Sequence, residues 1–471
     1  MSSIKLFNTL GRQEQEFKAI KPGHVGLYTC GPTVYDRASI GNLRAYVFSD
    51  TLRRVFEQSG YQVTQVMNIT DVGHLVSDAD EGQDKLEKGA EREGKTAWEV
   101  AETYTQLFMA DLKRLNALTP TVMPKATDHI AEQIAMIKAI EDQGLTYQIA
   151  DGVYFDTSKQ PGYGRLSGQS MAEKAAGARV EIGDKRQASD FALWKFSPSE
   201  RPFDGAQDGV VARRHMEWNS PWGKGFPGWH IECSAMAEKY LGLPFDVHTG
   251  GIDHIAVHHE NEIAQAEAAR GVLEANYWLH NEFLLIDGGK MSKSLNNTYS
   301  LDDLAAKGIS ALAFRYFVLG ANYKSKLNFT WEAVQGAQNA LDKLVDTVRG
   351  WDQPTELDQA SWDEFLEHLS QDLDTTTGLA LVWKLVGNES LSSAVKAATL
   401  LKFDEILGLA LEDVVARPVK ISAEAEALLA ERQQARLDKD FAKSDSLRDT
   451  LAELGLLVED TADGQRVRES R

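Results

Sequence analysis

The sequence predicts an α/β fold: a parallel-sheet domain interrupted by an insertion, then an α-helical bundle and a small C-terminal domain. Two observations predict it. Residues 24–70 spell strand, helix and strand in succession, and beyond residue 330 the apolar spacing turns helical throughout. The first strand is HVGLYTC, 24–30. From Ile40 a helix follows, with Leu43, Tyr46, Val47, Leu52, Val55 and Phe56 on one side. The turn QSGY closes it and QVTQVMNIT, 62–70, is the next strand. Parallel sheets place ligands at the carboxyl ends of their strands, so Cys30 and Thr70 stand where a site is expected. Helices follow over 96–115 and 128–143, and GLTYQIADGVYFDTS reads as a hairpin turning at ADG. From there to residue 225 the chain is irregular, and 199–214 reads as a surface-loop insertion rich in turn formers. The α/β pattern resumes at FPGWHIECSAMAEKYLG and FDVHTGG and continues through YWLHNEFLLI. Past residue 330, Val334, Ala337, Leu341, Leu344 and Val348 recur at helical spacing. FLEHLSQDLDTTTGLALVWKLV and SSAVKAATLLKFDEILGLAL read as further helices of a bundle, joined through Pro418 to a last helical unit over 422–454.

The composition is that of a globular chain: 471 residues, 43% hydrophobic and 25% charged. No apolar run approaches the roughly 20 residues that span a bilayer. The N-terminus lacks the basic-then-apolar order of a signal peptide, so a soluble cytoplasmic protein is expected. The two cysteines, Cys30 and Cys233, lie far apart; in a reducing compartment no disulfide is expected, and two buried structural thiols are the plain reading. A net charge of −20 argues against a general polyanion binder, since the mean field repels phosphate. A specific nucleic-acid partner would have to be met through local basic patches.

Two stretches carry chemistry. VHHENEIAQAEAA, Val257–Ala269, is helical in pattern, with Ile263, Ala266 and Ala269 in register. His258 and Glu262 are four apart and share a face, as metal ligands or as an ordinary imidazole–carboxylate contact; the residue four beyond His259 is Ile263, which offers it no such partner. LIDGGKMSKSLNN, 285–297, places Lys290 and Lys293 on a glycine-bearing loop after a strand. Two ammonium groups there can neutralise a polyphosphate leaving group.

The order Lys-Met-Ser-Lys-Ser at 290–294 matches the signature of class I aminoacyl-tRNA synthetases letter for letter. With YTCGPTVYD, NITD, GWHIECSAM, GGID, HHENEIAQ and ARLDKDFAKSDSLRDTLAELG, the chain resembles the cysteinyl-tRNA synthetases over nearly its whole length. The resemblance implies a Rossmann-type catalytic domain in two halves, 1–144 and 226–300, split by a connective insertion over 145–225. It also implies a stem-contact region 301–345, a bundle 346–420 and an anticodon-binding domain 421–471. It implies one zinc ion held by Cys30, Cys233, His258 and Glu262. ATP, with Mg²⁺, would meet Lys290, Lys293, Ser39, Gly41 and Asn42. L-cysteine would meet Gly31, Thr70, Trp229 and Asp253, with Asp253 on its ammonium and Trp229 walling the thiol side. The partner would be tRNA(Cys), met in the tail by Arg436, Phe441, Asp445, Arg448 and Asp460, and the protein would be a monomer.

Zinc prefers thiolate and imidazole, and a catalytic site keeps a position open. A cysteine thiol, of free pKa about 8.5, ionises far more readily than a serine hydroxyl. Reading the sulfur directly should reach the roughly 10⁴–10⁵-fold discrimination of sites built around a group the competitor lacks. A purely structural zinc is the competing reading of the four ligands, and a core aromatic that of Trp229. His254 is read as a loop residue near the metal.

One departure stands out. Class I enzymes carry His-Ile-Gly-His at the mouth of the first helix; here Ser39 replaces the first histidine and Asn42 the second, and of the two changes the asparagine is familiar in the family while the serine is not. Serine is a good helix N-cap but carries no charge and reaches less far. Arg37 and Thr33 are neighbours that could compensate. Two alternative functions follow: ligation of cysteine to a small amine, as in mycothiol ligase, which the long tail disfavours, and a catalytically silent zinc- or tRNA-binding paralogue, suggested by Ser39.

Overall fold

A computed structural model describes residues 3–73, 85–169, 184–197, 215–291, 295, 297–417, 419, 421–461 and 464–469. The expected surface insertion 199–214 and the linker residue Pro418 lie outside the described residues.

Seven elements place the site: β1 (His24–Thr29), α1 (Ile40–Gln58), β2 (Gln62–Met67), α2 (Trp229–Leu241), β3 (Phe245–Gly251), α3 (His258–Arg270) and β4 (Ala275–Asn281). The strands form one parallel sheet in the order β4-β3-β1-β2, with Leu27 opposite Val247 and Tyr28 opposite Val66. Val25, Leu27, Tyr28, Val66, Val247, Trp278 and Leu279 are all buried, as strands covered on both faces require. From β1 the chain crosses over to β2 on one side, while from β3 it crosses over to β4 on the other. The order reverses between β1 and β3, and their carboxyl ends open the crevice where α/β sheets bind ligands. α1 begins there, capped by Ser39.

The predicted hairpin forms from Thr146–Ile149 and Gly152–Phe155. The segment beyond it, read as irregular, contributes three further strands: Phe191–Phe196, Trp218–Ser220 and Gly223–Pro227. All five make one antiparallel sheet. Phe191–Phe196 pairs across long sequence separations, and the other two are strands of three and five residues, too short for alternation to mark them. The stretch read as a single helix over 365–386 is two, Gln359–Ser370 and Thr375–Val386. Asp372 and Leu373 break it at φ 52° and 57°, where Asp372 Oδ1 accepts the Phe7 N–H at 2.8 Å and the Tyr323 hydroxyl at 2.6 Å. The terminal unit is two helices, Ala423–Leu437 and Phe441–Glu453, plus an unforeseen hairpin of Leu456–Thr461 with Gly464–Glu469. Ala425, Leu451, Leu456 and Val458 give it a small core of its own.

Candidate active site

Cys30 follows β1, Cys233 lies on α2, and His258 and Glu262 stand one turn apart on α3; all four are buried. One donor atom from each lies within 4.8 Å of the others. His258 Nε2 is 3.5 Å from Glu262 Oε1. The sheet explains the convergence, because β1 and β3 end side by side and the loop after β3 returns directly into α3. Gly250, near the end of β3, lets an imidazole press against the strand: a Cβ there would stand 2.6 Å from His259 Cε1.

The electrostatics suit a cation. Among the described residues, every ion-pair partner of Glu262 is a histidine: His248 at 3.2 Å, His258 at 3.5 Å and His259 at 3.8 Å. Burial pushes the Glu262 carboxyl well above its usual range. It raises the Cys30 thiol too, reinforced by the hydrogen bond with Cys233. That hydrogen bond is the largest influence on the Cys233 thiol and lowers it, but burial together with the Glu262 and Glu232 carboxyls outweighs it and carries the group up to about 11. Two thiols and a carboxyl that resist ionisation by themselves are the donor set a dication would ionise, so these residues fit zinc.

A second group sits just behind. Cys30, His248, His259 and Glu262 also bring one donor atom each within 4.8 Å of one another. His259 Nε2 is 3.2 Å from Cys30 Sγ, and its Nδ1 is 2.7 Å from His280 Nε2. His280 Nδ1 is in turn 2.7 Å from Thr9 Oγ1. His259 has no partner four residues on, as read, but it meets Glu262 at three residues' spacing, on the same helix face. His230 Nδ1 lies 2.9 Å from His258 Nδ1, fixing that ring from behind. Burial lowers His230 to about 3, so it is neutral. His230, His248 and His280 were missed because each sits alone in its own strand or helix, with no spacing to mark it.

A cleft over the crevice is lined by Gly31, Ser39, Gly41, Asn42, Thr70, Trp229, Asp253 and Lys290, every candidate for cysteine or ATP except Lys293, which lies outside the described residues. Trp229 is half-buried and stacks on His258 at 4.3 Å and 20°, so it is a cleft wall rather than a core aromatic. Asp253 is exposed at the cleft and His254 ends a short turn beside it, outside both four-residue groups. Thr70 is buried, its hydroxyl taking the Asn68 amide at 3.0 Å. The Gly31 N–H donates to Asn68 Oδ1 at 2.8 Å, and a Cβ on Gly31 would run into the Asn68 carbonyl. Glycine is needed there for close approach of two chain segments, and its N–H is committed within the protein.

Ser39 is likewise committed. Its hydroxyl donates to Asn42 Oδ1 at 2.7 Å and accepts the Asn42 N–H at 3.2 Å, while its own N–H donates to Asn42 Oδ1 at 3.1 Å. This capping box orders the α1 N-terminus but uses the serine's one donor. Arg37 is also engaged, paired with Asp111 at 3.1 Å and with Asp302.

In the tail, Phe441 is 58% exposed at the start of its helix, and Arg448 pairs with Asp445 at 3.3 Å on the surface. Asp460 holds the fully buried Arg432 by two bonds of 2.9 Å and Arg436 by a third.

Residues 16–339 match the family described as "tRNA synthetases class I (C) catalytic domain", and residues 419–468 match "Cysteinyl-tRNA ligase anticodon binding domain". Cysteine–tRNA ligase 1 of Burkholderia lata is 50% identical over 465 residues, covering 98% of this chain and 96% of that protein. The cysteine–tRNA ligase of Treponema denticola is 42% identical over 494 residues, covering 98% of each. The Mycobacterium tuberculosis methionyl-tRNA synthetase in complex with methionyl-adenylate shares the fold at a TM-score of 0.52 and 16% identity, over 89% of this chain and 96% of that one. A LeuRS–tRNA–LeuAMS ternary complex from Agrobacterium radiobacter K84 does so at 0.55 and 10%, over 84% and 85%. No described helix is long and apolar enough to cross a membrane. Both family matches and the full-length relatives agree: this chain belongs to the cysteine–tRNA ligases, ATP-dependent enzymes of the class I aminoacyl-tRNA synthetases.

Proposed function

We propose that this chain joins L-cysteine to tRNA(Cys) in two steps, reading the substrate thiol through one zinc ion held by Cys30, Cys233, His258 and Glu262. In the first step the cysteine carboxylate attacks the α-phosphate of Mg²⁺-bound ATP, and pyrophosphate leaves. In the second the 3′-terminal ribose of the tRNA attacks the cysteinyl carbonyl, and AMP leaves. When bound, zinc supplies a Lewis acid that lowers the thiol pKa and takes sulfur in preference to oxygen.

The chain's own residues do the rest. Asp253 accepts the substrate ammonium, and Trp229 with Thr70 shapes the pocket beside the metal ligands. The N-terminus of α1, with the Gly41 N–H and the Asn42 amide, faces the phosphates as helix N-termini do. Lys290 and Lys293 stabilise the charge on departing pyrophosphate. In the tail, Phe441 offers a stacking face to an anticodon base, with Arg436, Asp445 and Arg448 around it. Asp460 contributes by holding Arg432 and Arg436 in place. The match to an anticodon-binding domain over 419–468 favours a tRNA acceptor over a small amine. The same reading has the enzyme act as a monomer in the cytoplasm.

The observation that carries the proposal is the convergence of the chain's only two cysteines with His258 and Glu262, buried, with no lysine or arginine ion-paired to the carboxylate among the described residues. Metal analysis of the purified protein should find one zinc per chain. Cys233→Ser should weaken zinc retention and cysteine affinity together. Full zinc with unaltered cysteine affinity in that variant would refute the ligand set.

A further inference from the structure

Arg44 is the sixth residue of the signature-bearing segment counted from Ser39, and it is only 1% exposed. Its guanidinium meets no carboxylate in an ion pair among the described residues. Instead its two terminal nitrogens reach five backbone carbonyls. Nη1 donates to Glu282 O and Phe283 O, each at 2.7 Å. Nη2 donates to Ser325 O at 2.6 Å, Tyr323 O at 3.3 Å and Asn322 O at 3.4 Å. Burial lowers the group to about 10, which leaves it charged at neutral pH.

Those five carbonyls belong to two segments beside the lysine loop: one leads into it, and the other follows it in the chain and leads into a strand paired alongside. Glu282 and Phe283 run directly into the strand Leu284–Ile286, and residues 322–325 run into Leu327–Phe329, which pairs parallel to it. The same strand pairs with the loop itself: Leu285 lies opposite Lys290. The far end of the loop returns to α1 as well, since the Ile40 N–H donates to Tyr299 O at 2.8 Å. The loop that carries Lys290 is thus fixed at both ends to the helix whose N-terminus carries Ser39, Gly41 and Asn42. The planar fork is suited to this, because its donors point in fixed directions toward two chain segments at once.

We propose that Arg44 is a positioning residue for cysteine activation: by clamping 282–283 and 322–325 to α1, it sets Lys290 at the correct separation from the helix N-terminus across the phosphate site. The inference rests on the reading of that loop as the pyrophosphate-stabilising element. A displacement on the order of 1 Å between reacting partners costs up to about 10²-fold in rate, and the fork is what prevents it. Lysine keeps the charge but offers a compact point donor that cannot span both segments.

The test is a double-mutant cycle on the full-length, zinc-loaded protein, read by cysteine-dependent ATP–pyrophosphate exchange. Lys290→Ala alone should lower kcat by about 10²-fold, in the range seen when a single donor to developing charge is removed. Arg44→Lys should lower kcat by roughly 10–100-fold, with zinc content and the KM for cysteine unchanged. In the Lys290→Ala background, Arg44→Lys should add less than about threefold, because the group it positions is gone. Additive losses in the double mutant would overturn the positioning role. So would loss of zinc and cysteine binding in Arg44→Lys, which would make Arg44 a structural tie of the whole domain. If Lys290→Ala leaves exchange unchanged, the reading of the loop itself fails and the inference falls with it, an outcome distinct from additivity.

Discussion

Ser39 shows how one residue can serve a helix at the expense of a ligand contact. Its hydroxyl closes a capping box with Asn42, so the position stabilises α1 yet offers no further donor to a phosphate. Losing an N-cap side chain costs about 1 kcal/mol. Ser39→Ala should therefore destabilise the protein by about that amount in chemical denaturation while barely altering exchange. Ser39→His should forfeit the cap, and with it similar stability, but place an imidazole at the phosphates and speed exchange at little change in cysteine affinity. The protein as written should already activate cysteine measurably. No exchange by the zinc-loaded protein, restored in Ser39→His, would make it a silent paralogue. An unchanged rate in Ser39→His would mean that the site is built around serine.

Between elements, a buried charge cluster decides how α1 meets the rest of the chain. Asp50 Oδ2 takes Arg54 Nε at 2.8 Å and Arg315 Nη2 at 2.5 Å, and its Oδ1 takes the Leu118 N–H at 2.7 Å. Arg315 itself is fully buried, and its Nε donates to Leu407 O at 2.6 Å. Burial works to raise the Asp50 carboxyl, but the attraction of Arg315 and then Arg54 outweighs it and holds the group below its usual value. A depressed carboxyl contributes stability that is full above the unfolded value of about 3.9 and is lost only as pH falls through the lower folded one. Asp50→Asn should cost about 3–5 kcal/mol, since two buried guanidinium groups lose their counter-charge. In that variant the acid limb of the stability–pH curve should be shallower than in the parent. The tail poses the same contrast. Asp460→Asn should loosen the terminal unit, because Arg432 is buried. Phe441→Ala, at an exposed position, should leave the unit folded and cost tRNA affinity about 1–3 kcal/mol, the worth of one stacked base. Equal tRNA loss with an unfolded tail in both variants would remove Phe441 from the recognition surface.

At the scale of the molecule, the acidic chain must still bind a polyanion. Affinity for tRNA should fall steeply between low and moderate salt, as binding through local lysine and arginine contacts releases counterions. A salt-independent affinity would contradict this. The separate small core of the tail implies that removing 422–471 spares the catalytic half. Such a truncation should keep cysteine-dependent exchange and lose tRNA charging, and equal loss of both would show that the tail supports the fold.

The sequence by itself determined the parallel β-α-β start, the helical second half, the pairing of His258 with Glu262 and the identity of the lysine loop. Each of these is local: a period of two or of 3.6, a four-residue spacing, or a contiguous string. Only the tertiary structure decided that His259 and His248 stand behind the four candidate metal ligands, that the insertion closes a five-stranded sheet and that Arg44 binds two distant segments to α1. It alone showed that the N–H of Gly31 and the carboxylate of Asp460 are already spoken for within the fold. A hydrogen-bond partner tens or hundreds of residues away leaves no mark on periodicity or spacing. It exists only once the chain has brought the two segments to the same place, and whether a polar group is free for a ligand is settled there.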